Sequence, residues 1–592
     1  MSIFKRSHVA AWMDEPDSYK MCDVDVLIQD MCMVSDADAK RWGVFIGKMH
    51  KQGKLVCAEM RPATHMNKLL EYVMTDKGLQ AAACVDLDGK PIEVPWMVGH
   101  TYKGRTPVFL CSNQPRYRQF LRDQVRYFMA AGADGIMVDD GGGSFFACGR
   151  GGCFCPHCMA GFREYLRKKH TVEQLKQRGV DDLDSFSYRR FVLGQQDDGR
   201  SYRNRRERHK VPFSRDFSDF LRRSDVELFR ELQALSCKLA GKHVPMGWDN
   251  VDFAGSRAGY YPFWDVFYSE INYQNFGVDG RTPDTEFPPG MVMLDKFADA
   301  MGRWYIPTPA PKSWEAIMRN DVESLLRLWV AFSYANGSAL RYPRKGWVFS
   351  ARTPWYFPPK EDFEPLYAFI RAHRELFDDY EAVQQVGVLF TQSQAGGGSS
   401  YYTPLKHVCA SLVSLNVPFG MAVAGDELLT NRLHGGEVER FELMLIPEPI
   451  RLVGGQRGIV QRWKDRGRAV SVQRTDNVAA KIKDHIQPLV AVEDDSGVWL
   501  FPRYVPGQRH APVVCHVVNP HFDAQRDAAL PKADVPVLLR SGLLGDRRPG
   551  KVTYHSPGNQ PCTLQHRLGK DGVRVTIPRV ELWGVLRISK AE

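Results

Sequence analysis

At 592 residues the chain is too long for one ordinary hydrophobic core, so about two to four domains are expected. Its 44% hydrophobic and 25% charged residues are those of a globular protein and exclude a disordered or fibrous chain. The net charge of +10 is modest for this length and comes without zinc-finger, recognition-helix or RNP-like patterns, so no nucleic-acid partner is expected.

The N-terminal MSIFKRSHVAAWMDEPD lacks the apolar core of a signal sequence, and no stretch approaches the roughly 18 apolar residues of a membrane span. A cytoplasmic location with no membrane partner is the resulting expectation. From there to about Tyr380, short apolar runs alternate with helical stretches. The runs are His8–Met13, Val24–Asp30, Lys54–Met60, Gly135–Asp140, His243–Asn250, Asp265–Ile271, Arg303–Ala310 and Ser338–Pro343. Helices are predicted between them, for instance over Arg118–Gly132 and Val322–Gly337. Eight such repeats predict an α/β fold, a (β/α)8 TIM barrel over residues 1–382. No Gly-rich dinucleotide fingerprint follows the first run, which argues against an open doubly wound sheet.

Strand, helix, strand, helix, strand recurs over 383–487 and predicts a small flavodoxin-like domain. Its first loop, TQSQAGGGSS, lacks the lysine and spacing of a phosphate loop, so no organic cofactor is expected. Over 488–592 short alternating segments such as APVVCHVVNP and DGVRVTIPRVELWGVLRIS predict an antiparallel β-sandwich.

Several barrel runs end in an acid: Asp30, Glu59, Asp140, Asp249 and Glu270. The C-terminal strand ends of a barrel open into its active-site mouth, so this pattern predicts a carboxylate-lined face. The 11% aromatic content supplies wide rings suited to sugars, with Trp12, Trp248 and Trp347 at or near strand ends and core packing as the alternative. The basic stretch SYRNRRERHK (Ser201–Lys210) is either a solvated face or a rim that attracts an anionic substrate.

After the fourth run, VDDGGG leads into four cysteines, Cys148, Cys153, Cys155 and Cys158. The last three form C-x-C-x-x-C, a spacing that can converge on one tetrahedral metal rather than on disulfides, with a metal-free reduced thiol cluster as the alternative. A fourth ligand is then needed, and spacing alone leaves Cys148 and Cys111 open. The remaining cysteines, Cys22, Cys32, Cys57, Cys84, Cys237, Cys409, Cys515 and Cys562, are scattered and read as free thiols.

The segment Cys-x-Asn-x-Pro-x-Tyr-Arg from Cys111, then a strand, then C-x-C-x-x-C and FREYLRKKH, resembles the family-42 β-galactosidases. That likeness covers most of the chain, including LRLWVAFSYANGSAL as the last barrel helix and strand. It implies a structural zinc on Cys111, Cys153, Cys155 and Cys158, and a homo-oligomer, a trimer, built through the second domain. The sequence departs from that family where an Asn-Glu pair should end strand four, since it has VDDGGG, and strand seven has no carboxylate before Glu315. It looks more like the hypothetical glycosyl hydrolase 6 group with the family-151 α-L-fucosidases.

A retaining glycosidase needs one carboxylate to attack the anomeric carbon and one carboxyl to protonate the leaving oxygen. The resemblance implies an aspartate nucleophile ending strand four: Asp140, with Asp139 beside it held by backbone or arginine contacts. Glu270, after Tyr268 and an apolar run, is the expected acid/base on strand six, with Asp249 as fallback or sugar-binding partner. Glu59 and Arg61 are expected to bind substrate or to brace groups that do. The expectation is therefore an exo-acting retaining glycosidase, α-L-fucosidase-like, on an oligo- or polysaccharide. A β-galactosidase-type enzyme and a non-catalytic carbohydrate-binding barrel are the alternatives.

Overall fold

The computed structural model describes the chain except for residues 1–2, 14–22, 62–81, 98, 100, 102–105, 140–142, 250–261, 272–288, 344–358, 392–398, 427–428, 430–432, 546 and 591–592. Seven parallel strands form one sheet in chain order. They are β1 (Ala10–Met13), β2 (Val26–Asp30), β3 (Leu55–Met60), β4 (Gly135–Val138), β5 (Met246–Trp248), β6 (Val266–Ile271) and β7 (Trp304–Pro309). Helices lie between them, among them α1 (Asp36–His50), α2 (Pro115–Ala131), α3 (Gly143–Gly149), α4 (Pro156–Lys169), α5 (Ser214–Ala240) and α6 (Val292–Met301), with α7 (Leu325–Ala335) after β7. The parallel order and the helical crossovers are those of the predicted (β/α) barrel.

The eighth predicted strand, Ser338–Pro343, is extended but irregular. Ala339 and Arg341 donate their N–H groups to the carbonyls of Tyr305 and Pro307, each at 2.9 Å, and Tyr342 donates to Ala10 at 2.7 Å. The segment therefore runs between β7 and β1 in the place of strand eight, with too few bonds to form a ladder.

Local chemistry explains the elements. The strand interiors are fully buried apolar runs, as parallel strands covered on both faces require. Helix α2 starts three residues before the predicted Arg118 because the Gln114 side chain caps the Arg116 and Tyr117 N–H groups and Pro115 takes the first turn. It stops at Gly132, whose φ of 86° is the left-handed cap that glycine accepts most readily.

By compactness the chain falls into two units: residues 13–16 with 27–249, and residues 1–12 and 17–26 with 250–592. The first carries a large insertion between β4 and β5, which shares one core with the segment that precedes β4. Phe154, Phe162, Tyr188, Tyr202 and Phe217 pack there against Cys111, Cys153, Cys155 and Cys158. The second unit holds β1, β6 and β7 and the two C-terminal layers. In the flavodoxin-like layer, β9 (Val386–Thr391), β10 (Phe419–Ala424), β11 (Leu443–Pro447) and β12 (Ala469–Val472) are parallel in the order β10-β9-β11-β12. The sandwich has one antiparallel four-stranded and one six-stranded sheet, and the short β8 (Glu381–Ala382) joins the six-stranded sheet. No helix among the described residues is long and apolar enough to cross a membrane.

A carboxylate-lined strand end and a four-cysteine cluster

Strands β3, β4 and β5 are in parallel register, with Met60 opposite Val138 and Val138 opposite Trp248. One residue further on, Asp139 N–H donates to the Met60 carbonyl at 2.9 Å and Asp249 N–H to the Val138 carbonyl at 2.8 Å. The ladder thus carries Asp139 and Asp249 to the same level at the C-terminal edge. Strand alternation puts Glu59, Arg61 and Asp139 on one side of the sheet. There the Arg61 guanidinium donates to both Glu59 oxygens, at 2.5 and 3.3 Å, and lies 3.6 Å from Asp139.

Glu59 is fully buried, and burial lifts its pKa well above the usual carboxylate range. Arg61 opposes that lift, while the charges of Asp30 and Asp139 add to it. Three carboxylates around one guanidinium leave a surplus of negative charge.

In the second unit Glu270 is half-buried at the end of β6, opposite Thr308 of β7. The residue before it, Ser269, shares a hydrogen bond of 2.6 Å with the Tyr305 hydroxyl. Asp140 and Trp347 lie outside the described residues. The other two tryptophans have covered faces. Trp248 is 1% exposed between Phe229 and Phe146, and Trp12 is buried with the Arg341 guanidinium 4.7 Å from its ring centre. Their indoles pack the interior, in place of the sugar platform read from their strand-end positions.

Cys111, Cys153, Cys155 and Cys158 are all buried, and their sulfurs lie within 4.8 Å of one another. Cys148 stands outside the group, its sulfur 3.2 Å from Ser218 Oγ. A strand pairing, Ala83 with Leu110, delivers Cys111, and the N-terminus of α4 delivers Cys155 and Cys158. N–H groups point at the sulfurs: Asn113 Nδ2 to Cys158 at 3.3 Å, Asn113 N to Cys111 at 3.4 Å and Cys158 N to Cys155 at 3.4 Å. Hydrogen bonds from Cys153, Cys155 and Cys158 hold the Cys111 thiol well below its usual range. Four converging, donor-supported sulfurs of this kind could hold one four-coordinate metal ion.

Sequence reasoning missed the polar groups that tie this cluster to the strand-four end. Ser112, next to Cys111, and Ser144, the second residue of α3, exchange N–H to Oγ bonds of 2.9 and 3.3 Å. Asp225 of α5 is fully buried and accepts from Phe145 N–H at 2.8 Å, and burial pushes its pKa up to about 7. Of the basic stretch, Arg203 pairs with Asp88 at 2.5 Å and Arg208 donates to the Cys148 and Tyr202 carbonyls. Arg205, Arg206, His209 and Lys210 are exposed.

No known family pattern matches the chain. The fold is that of a solved enzyme, α-L-fucosidase isoenzyme 2 from Paenibacillus thiaminolyticus, at a TM-score of 0.64 and 10% identity, covering 99% of this chain and 100% of that one. In sequence it is similar to two α-agarases. The one from Thalassotalea agarivorans is 23% identical over 532 residues, and the one from Alteromonas agarilytica 23% identical over 525. Each match covers 85% of this chain, which spans only 34% and 35% of those relatives.

Proposed function

We propose that the protein is a glycoside hydrolase acting on α-linked sugars of a polysaccharide. The observation that carries this reading is the set of ionisable side chains at neighbouring barrel strand ends, Glu59, Arg61 and Asp139, in a chain similar to α-agarases over 85% of its length. Agar is accordingly the first substrate to test. The exo-acting, α-L-fucosidase-like form is the finer reading, and it rests on the cysteine and VDDGGG motifs.

In the retaining mechanism assigned here, Asp140 attacks the anomeric carbon, forming a glycosyl ester as the leaving oxygen departs with a proton from Glu270. Glu270 then takes a proton from water, which cleaves the ester and restores both carboxyl groups. The contact between Asp139 and Arg61 suits Asp139 to holding the neighbouring strand end and the sugar hydroxyls. The four cysteines would hold a structural zinc whose coordination they close, so it offers no open position to water. Trimeric assembly, a reading from the resemblance, is measured by light scattering.

The test is hydrolysis of agarose, an aryl α-L-fucoside and an aryl β-galactoside by the wild type, Asp140→Asn and Asp139→Asn. Cleavage of one of the first two, reduced at least about 10⁴-fold in Asp140→Asn, is the expected result. Loss confined to Asp139→Asn would move the nucleophile by one residue. Sugar binding with no turnover of any glycan would replace the enzyme with a binding barrel.

A further inference from the structure

Three features that the reaction does not use converge on helix α3, which begins four residues after Asp139. Its first residue leaves no room for a side chain, because a Cβ on Gly143 would sit 1.6 Å from the Leu110 carbonyl oxygen. The backbone of α3 is thus pressed onto the chain entering Cys111. Its second residue, Ser144, is bonded to Ser112 in both directions, and its hydroxyl donates to Cys111 Sγ at 3.5 Å. Its third, Phe145, gives its N–H to the buried Asp225, which reaches in from the middle of α5. Two of the first-turn N–H groups that a helix leaves unpaired are therefore taken by side chains from other elements.

A helix of seven residues is far below the roughly 12–15 needed to persist by itself, so these contacts decide where α3 sits. We propose that the cysteine cluster and Asp225 form a positioning device for the end of strand four at Asp139, transmitted through Ser112, Ser144 and α3. Asp225 and Ser144 are positioning residues: they touch neither substrate nor reacting atoms. They fix the far end of the segment that leaves Asp139. A shift of about 1 Å in a reacting group costs on the order of 10²-fold in rate, so such a brace has a function to serve. The catalytic part of this inference rests on the glycosidase reading, whereas the structural part does not.

The deciding measurement is amide hydrogen exchange over residues 139–149 in the full-length protein as purified, with zinc content determined on the same sample. Asp225→Ala should speed exchange at Ser144 and Phe145 by about tenfold or more while α1 stays unchanged. Asp225→Asn keeps an oxygen acceptor for Phe145 N–H and should restore protection. Removal of zinc with a chelator should free α3 together with the first turn of α4. If Asp225→Ala fails to fold, Ser144→Ala carries the same expectation. Unchanged exchange at Ser144 and Phe145 in a folded variant overturns the proposal. So does metal removal that frees α4 alone, or a purified protein that holds no metal. On a substrate the wild type cleaves, Asp225→Ala should lower kcat with KM within about twofold, and Asp225→Asn should recover it. A wild type that cleaves nothing sinks the glycosidase reading and leaves the exchange result to decide the brace.

Discussion

At the ends of β2, β3 and β4, three carboxylates, Asp30, Glu59 and Asp139, share the field of one guanidinium, Arg61. Beside the C-terminus of α7, three cations, Arg6, Lys296 and Arg503, share a field with two carboxylates, Asp295 and Asp299. Both clusters are buried, but their surpluses end differently. The cationic surplus is absorbed by main-chain oxygens: Arg6 donates to Gly337 O at 2.9 Å, and Arg503 to Tyr380 O at 3.1 Å and Ala335 O at 3.5 Å. Two of these carbonyls lie at the end of α7, where the helix dipole favours positive charge. Burial still pushes Lys296 down to about 8 and Asp295 up to about 7. In the acidic cluster burial lifts Glu59, with Asp30 and Asp139 adding to the lift and Arg61 opposing it. Buried charge by itself does not mark a site. An imbalance left at the open end of barrel strands is the better sign.

The largest effect should come from breaking the balanced cluster. Asp299→Ala removes the partner that Arg6 meets at 3.0 Å and leaves the buried Lys296 and Arg503 with Arg6, which is half-buried. Breaking a buried pair in this way costs about 3–5 kcal/mol, so a lower denaturation midpoint is expected in urea titration. Glycan turnover per folded molecule should be unchanged. Arg61→Met makes the opposite cut, removing the guanidinium that Glu59 and Asp139 meet. Glu59 can take up a proton, so the midpoint should move little. kcat/KM on the cleaved glycan should fall about 100-fold, close to 2.7 kcal/mol. A large stability loss in Arg61→Met with intact turnover would reverse the two roles.

How far each cluster could be read from sequence follows from the range of its contacts. Glu59, Arg61 and Asp139 were legible because an acid ending an apolar run is a local pattern, and the i, i+2 spacing of Glu59 and Arg61 already implies a shared side. The cysteine spacing was equally local for Cys153, Cys155 and Cys158. Cys111, 44 residues from Cys155, was reached only through a family resemblance. Asp225 was invisible: in RRSDVELF it looks like any charged helix residue, and its partner Phe145 is 80 residues away. For Trp248 the core-packing reading holds, because Phe146 and Phe229, far off in sequence, cover its ring. The strand-eight segment had the right composition and place, while its sparse bonding to β7 and β1 reflects a register that only tertiary contacts set.

The smallest expected effect separates the two regions by pH. Burial holds His555 down at about 4, with the His373 ring 4.9 Å away and Thr553 Oγ1 at 3.1 Å from its Nε2. A histidine whose folded pKa lies below its unfolded value near 6.5 contributes stability above that value, and loses it as pH falls from 6.5 towards 4. Glu59 has the opposite sign. Its folded pKa is raised, so its contribution is complete in acid and is lost as pH rises. Acid should therefore weaken the second unit through His555 while sparing the strand-end cluster. His555→Gln keeps an acceptor for Thr553 and cannot charge. Its Tm at pH 5 should exceed that of the wild type by about one degree, about 1 kcal/mol, with no difference at pH 8. An equal gain at both pH values would mean that the substitution acts through packing, and the acid sensitivity would then have to be sought at His516, whose buried ring between Trp583 and Phe377 is also held well below its usual pKa by burial.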